Sequence, residues 1–186
     1  ARVAAAASTA NWTELNPNAK ASGYDSGVGR IDFVRFDPTN SSIMYVCSPD
    51  GGLWKSINGG TSWTTNTDFL PIIGCADLVI NPTNTQIMYL ATGNREYDRS
   101  SIGILKSTDG GTTWNPTGVT FPPSDGWTIR RLIMHPTNPL VMIAVLNTGV
   151  IRTADGWATF SQPSLAGDTD LQDVEFKPGN PNTVYA

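Results

Sequence analysis

Three segments of this chain share one grammar. Ser56-Ile57-Asn58-Gly59-Gly60-Thr61-Ser62-Trp63 is matched by Ser107-Thr108-Asp109-Gly110-Gly111-Thr112-Thr113-Trp114, and Thr153-Ala154-Asp155-Gly156-Trp157-Ala158-Thr159-Phe160 is a divergent copy. A hydroxyl comes first, then Asn or Asp two residues later, then glycine, then a hydroxyl beside an aromatic ring. Side chains of Asn58, Asp109 and Asp155 suit turns that fold back on nearby amides, and glycines such as Gly60, Gly111 and Gly156 accept positive φ where the chain reverses. Ser56 and Ser107 can satisfy further turn amides. Trp63, Trp114 and Phe160 are expected to open the next strand and pack beneath the turn. The box therefore reads as a structural hairpin tip. Three copies of one carboxylate position do not suit a single asymmetric active site.

Prolines set the register of the repeat. Pro38, Pro82, Pro136 and Pro178 each follow an apolar strand that ends in Phe36, Ile80, Met134 or Phe176, and each precedes a second strand holding Tyr45, Tyr89, Ile143 or Tyr185. A third strand runs into the box and a fourth leaves it. Four strands in roughly 40–45 residues is one propeller blade. The predicted fold class is all-β: a β-propeller of four-stranded antiparallel blades, three complete and others partial. Blades are expected at about 30–66, 75–117 and 128–162, with a partial one at about 170–186. Residues 1–10, alanine-rich, are set apart as a disordered or processed segment, and 11–186 as the propeller. Asn11-Trp12-Thr13-Glu14-Leu15 resembles the end of a further box. An open part-propeller exposes sheet edges, so the expectation is a fragment whose edges are covered by further blades of the polypeptide or by a partner.

The boxes, with Gly51-Gly52-Leu53-Trp54-Lys55-Ser56 and Gly103-Ile104-Leu105-Lys106-Ser107, resemble the Asp-box (BNR-like) repeat. That repeat occurs in bacterial sialidases, sortilin-type receptors, photosystem assembly propellers and xyloglucan-cleaving glycoside hydrolases. The run is most similar to secreted Bacteroidetes repeat proteins, and the resemblance implies a signal peptide and a C-terminal sorting domain. It covers about residues 11–186 and is specific for fold rather than activity.

Composition narrows the function classes. Of 186 residues, 15% are charged and the net charge is −4, which argues against a nucleic-acid partner, since that would want a basic face. No apolar run approaches the roughly 18 residues of a membrane span. Cys47 and Cys75 read first as buried small apolar residues, with a disulfide as the alternative. No metal-ligand cluster, phosphate loop or nucleophile elbow is present, and no cofactor is implied.

Candidate sites follow from the aligned prolines. Charged residues near the starts of the first strands, Asp32, Asp77, Arg130, Arg131 and Asp173, fall where a propeller axis is expected. They read either as a binding site or as a mutually paired ring holding blades in register. Arg95, Glu96 and Tyr97 lie in an insertion between the second and third strands of the second blade, and long loops on rigid scaffolds often bind ligands. Trp127 lies in the proline-rich stretch Phe121–Trp127. His135 occupies a turn slot held elsewhere by Asp37, Asn81 and Lys177.

Two functions are weighed. The preferred one is a non-catalytic secreted or cell-surface platform for protein or glycan. The alternative is part of a glycoside hydrolase. Such enzymes normally set two carboxylates about one sugar bond. The xyloglucanase resemblance implies an acid before the Gly51-Gly52 pair, where Asp50 stands one place out of the family pattern, and puts the second acid outside this chain. A sialidase would need three arginines, for which Arg30, Arg130 and Arg131 are available, and a Tyr–Glu pair, for which Glu96-Tyr97 is available.

Overall fold

The computed structural model describes residues 30–94, 100–163 and 171–186. Four antiparallel sheets follow one another along the chain. The first holds β1 (Phe33–Asp37), β2 (Asn40–Ser48), β3 (Gly52–Ser56) and β4 (Thr64–Thr65), paired in chain order. The second repeats this with β5 (Cys75–Ile80), β6 (Met88–Thr92), β7 (Gly103–Ser107) and β8 (Asn115–Thr120). The third holds β9 (Ile129–Met134), β10 (Met142–Leu146) and β11 (Gly149–Thr153), and the last pairs β12 (Glu175–Phe176) with β13 (Val184–Tyr185). These are the blades of a β-propeller. A single 3-10 turn at Pro123–Asp125 is the helical content of the described residues. No helix there is long and apolar enough to cross a membrane.

The third sheet departs from expectation. Its fourth strand is reduced to one bridge, Arg152 with Ser161. Pro163 follows and has no N–H to extend the pairing.

Strand periodicity explains the core. β6 is buried along its whole length, because successive side chains serve opposite faces. Met88 and Leu90 pack with Tyr45, Leu53 and Leu78 against the first blade. Tyr89 and Ala91 pack with Ile129, Leu132 and Met142 against the third. β10 does the same, with Met142, Ala144 and Leu146 toward the second blade and Ile143 and Val145 toward Val174 of the fourth. Middle blades therefore need continuous apolar runs rather than alternation. Each buried leucine, isoleucine, valine or methionine among them contributes about 1.5–3 kcal/mol.

Turn chemistry caps one end of the blades. Asp37 Oδ1 accepts from the Thr39 amide at 2.8 Å and the Thr39 hydroxyl at 2.7 Å. Asn81 Oδ1 accepts from the same two groups of Thr83 at 2.9 and 2.8 Å. His135 takes this place in the third blade, its Nδ1 accepting from the amides of Thr137 at 3.3 Å and Asn138 at 3.1 Å. Burial works against ionisation of Asp37, yet the bonds from Thr39 leave its carboxyl below the ordinary value.

The boxes close the third strands as self-satisfied turns. Asp109 Oδ1 accepts from Ser107 Oγ at 2.8 Å, the Thr112 amide at 3.0 Å and the Thr113 amide at 2.8 Å; Oδ2 accepts from Thr113 Oγ1 at 2.6 Å. Asp155 repeats this with Thr153 Oγ1 at 2.8 Å and Thr159 Oγ1 at 2.6 Å. Asn58 substitutes an amide, accepting from Ser62 N and donating to Ser62 Oγ, both at 2.9 Å. Hydrogen bonds from Thr113 and Thr159 lower the Asp109 and Asp155 carboxyls to about 2.

Boxes also join blades. The Tyr45 hydroxyl of the first blade donates to the Gly110 carbonyl of the second at 3.3 Å, and Lys55 Nζ reaches the same oxygen at 2.7 Å. One expectation fails in the third box. Trp63 and Trp114 are half-buried as anticipated, but Phe160 is 41% exposed rather than packed beneath the turn. Trp157 is the buried ring, at 0% exposure.

Cys47 and Cys75 form a disulfide between β2 and β5, with Cα atoms 5.5 Å apart. This corrects the preference for two unlinked apolar residues, although both cysteines are indeed fully buried. The spacing of 28 residues leaves open whether the two meet; the blade-to-blade packing brings them together.

Candidate functional site: a rim cleft between the first two blades

Two regions collect polar side chains. The first lies along the inner strands. Asp77, 2% exposed, sits between two arginines. Its Oδ1 accepts from Arg35 Nη2 at 2.9 Å and from the Leu78 amide at 2.8 Å. Its Oδ2 accepts from the Leu132 amide at 3.0 Å and lies 3.5 Å from Arg131 Nη1. Arg131 continues to Asp173 at 3.0 Å and pairs with Glu175. Four blades are thus linked by alternating charges. Burial pushes the Asp77 carboxyl up, against the opposing pull of Arg35, the Leu132 amide and Arg131.

The charges pair from blade to blade, and Arg35, Arg131 and Glu175 also line an open cavity along these strands; only part of the expected set belongs to this region. Asp77, Arg131 and Asp173 meet. Asp32 instead pairs with Arg30 at 2.7 Å, and Arg130 Nη1 donates to the Leu171 carbonyl at 3.0 Å. The three arginines considered for a sialidase are each engaged by different partners. Arg35 and Glu175 were missed. Both stand three residues before an aligned proline, whereas the proline register drew attention to positions five and six before.

The second region is a cleft at the opposite end from the boxes. Pro49 and Asp50 of the first blade, the connecting segment Pro71 to Gly74, and Gly93, Asn94 and Ser100 of the second blade line it, with Pro123. Asp50 sits on the turn after β2, where the Gly51 amide donates to the Ser48 carbonyl at 3.3 Å. Its carboxylate is exposed and accepts from Asn94 Nδ2 at 3.3 Å, while Asn94 itself is 1% exposed. Asn94 follows β6 in the second blade, as far past Pro82 as Asp50 lies past Pro38. That shared offset is the signal by which Asn94 could have been found.

Tight backbone packing builds the cleft. The Gly93 amide donates to the Gly74 carbonyl at 2.9 Å. Gly52, at φ 78°, faces Thr67 Oγ1 and lies close to the Ile73 carbonyl, so any side chain there would collide with these atoms. Thr67 Oγ1 also accepts from the Leu53 amide at 3.0 Å. The disulfide lies beneath, three residues before Asp50 on one side and next to Gly74 on the other.

Trp127 stands apart from the polar groups. Its ring packs on Phe121, centroids 4.6 Å apart, and against the core between the second and third blades. Arg95, Glu96 and Tyr97 lie outside the described residues.

The chain matches no protein-family profile. Over 157 residues it is 29% identical to a xyloglucanase of Hypocrea jecorina, covering 74% of this chain and 18% of that protein. Over 153 residues it is 27% identical to a xyloglucanase of Paenibacillus sp, covering 74% of this chain and 15% of that protein. The chain thus spans less than a fifth of the length of these relatives. Among solved structures it resembles an ancestral GH74 enzyme, with a TM-score of 0.69 at 21% identity over 94% of this chain and 22% of that one. It also resembles YCF48 bound to D1 peptide, with a TM-score of 0.54 at 16% identity over 72% and 39% of the two chains. These likenesses establish the β-propeller fold.

Proposed function

We propose that this chain is part of an extracellular glycoside hydrolase that cleaves xyloglucan, and that Asp50 is the carboxylate it contributes to the reaction. The observation that carries the reading is the position of Asp50. It is an exposed acid lining a cleft, held by a buried amide, beside a glycine pair that lets the connecting segment approach closely. The two xyloglucanase relatives favour this hydrolase reading over the non-catalytic platform. Glycosidic cleavage by either stereochemical route uses two carboxylates across the scissile bond. The second is proposed to come from polypeptide beyond this stretch, whose further blades would also cover the open sheet edges. A fully buried disulfide suits folding in an oxidising compartment, which agrees with action outside the cell.

The test is release of reducing ends from xyloglucan by the full-length protein and its Asp50→Asn variant. Loss of about 10²–10⁴-fold in turnover, with the fold retained by circular dichroism, is expected. An Asp50→Asn enzyme as active as its parent removes Asp50 from the reaction. A full-length protein inert on xyloglucan overturns the assignment.

A further inference from the structure

Phe69 is the most exposed large apolar side chain of the described residues, at 93%. Exposed rings are ordinary when they sit on slack loops, but this one does not. Its turn is closed by the Leu70 amide donating to the Thr67 carbonyl at 3.0 Å. Thr67 is fully buried and bonded to the start of β3. Leu70 packs into the core between the first two blades. The backbone on either side of Phe69 is therefore anchored while the ring projects. Two residues later the same segment lines the cleft that holds Asp50, with Pro71, Ile72 and Ile73. Ile73 is itself 39% exposed.

We propose that Phe69 is a stacking platform for a pyranose ring of a β-linked glucan chain passing through the Asp50 cleft. The inference rests on the hydrolase reading above and adds a substrate-binding residue to it. A pyranose with equatorial substituents presents axial C–H groups on its faces, and an aromatic ring suits such a face. Because the turn is already ordered, little conformational freedom is lost when a sugar binds. The segment that leads from Phe69 into the cleft, Leu70 to Ile73, carries proline, leucine and isoleucine rather than charge, so it offers contact without competing for the sugar hydroxyls.

The experiment uses the full-length protein in an Asp50→Asn background, so that polymer is bound rather than cut. Retardation in native gels containing xyloglucan is compared for this parent and for added Phe69→Ala, Phe69→Leu and Phe69→Trp. Ala and Leu are expected to weaken binding roughly tenfold, and Trp to preserve it. Leu binding as well as Phe would mean simple apolar contact and overturns stacking. Unchanged retardation of Phe69→Ala overturns the inference and leaves the hydrolase reading standing. A parent that is not retarded removes both. A Phe69→Ala variant altered in oligomeric state rather than in retardation assigns the ring to a protein contact and also overturns it.

Discussion

Arg35 of the first blade donates to the buried carboxylate of Asp77 in the second, Nη2 to Oδ1, at 2.9 Å. Asp77 is the closed member of the pair, while the Arg35 side chain keeps 33% of its surface. Their loss is therefore asymmetric. Asp77→Ala strips the acceptor from the Leu78 and Leu132 amides as well as from two guanidinium groups. Arg35→Ala leaves Asp77 with Arg131 and both amides. The expected costs are about 2–4 kcal/mol for Asp77→Ala and about 1 kcal/mol less for Arg35→Ala. Urea midpoints of the two variants check this; equal losses would mean that the amide bonds to Asp77 contribute little.

Acid should weaken the second and third boxes but not the first. Asp109 and Asp155 titrate at about 2 in the fold, below the ordinary 3.8, chiefly through the Thr113 and Thr159 hydroxyls. A depressed acid adds stability above its unfolded value and loses it as pH falls through the folded one. The window is thus about pH 4 down to 2. Asn58 shows that an amide makes the same turn without titrating. An Asp109→Asn, Asp155→Asn double variant should fold at neutral pH and show a shallower fall of melting temperature across that window. An unchanged slope would place the acid sensitivity elsewhere.

Joining β2 to β5 closes a loop of 28 residues, which on chain-entropy grounds stabilises by about 3–4 kcal/mol. Cys47→Ala, Cys75→Ala should lower the melting temperature by several degrees. Reductant should do the same to the parent only after slow exposure, since both cysteines are buried. Thiol counting under denaturing conditions, with and without reductant, reads the bond directly. Two free thiols in the unreduced protein would contradict it.

The repeat was legible because local chemistry dictates it. Asx turns after Pro-bearing strands, hydroxyl–carboxylate boxes and unbroken apolar second strands each follow from a few neighbouring residues. What escaped depended on blade packing. Arg35 and Glu175 become partners of Asp77 and Arg131 only once inner strands lie side by side. Cys47 and Cys75 meet across a blade interface that spacing alone does not specify. Asn94 reaches Asp50 through the same interface. Phe69 stands outside every repeat position that the prolines define, so periodicity gave no reason to single it out.

Trp157 is where local rule and packing conflict. It fills the slot of Gly60 and Gly111 and is the one non-glycine at positive φ among the described residues, at 66° against 87° and 81° for those glycines. Its amide still donates to the box hydroxyl, Thr153 Oγ1, at 3.1 Å. A left-handed conformation costs a residue with a Cβ about 1–2 kcal/mol. Its indole N–H, buried without a partner, adds to the cost. Against this stands a fully buried tryptophan between the second and third blades, whose truncation costs about 3–5 kcal/mol. Packing exceeds strain, so Trp157→Gly should destabilise by about 1–4 kcal/mol net despite restoring the glycine of the other boxes. Gly111→Ala, which adds strain without a core ring, should lose about 1–2 kcal/mol. Denaturant titration of both variants decides it: a Trp157→Gly protein more stable than its parent would show that backbone strain outweighs the packing of the ring.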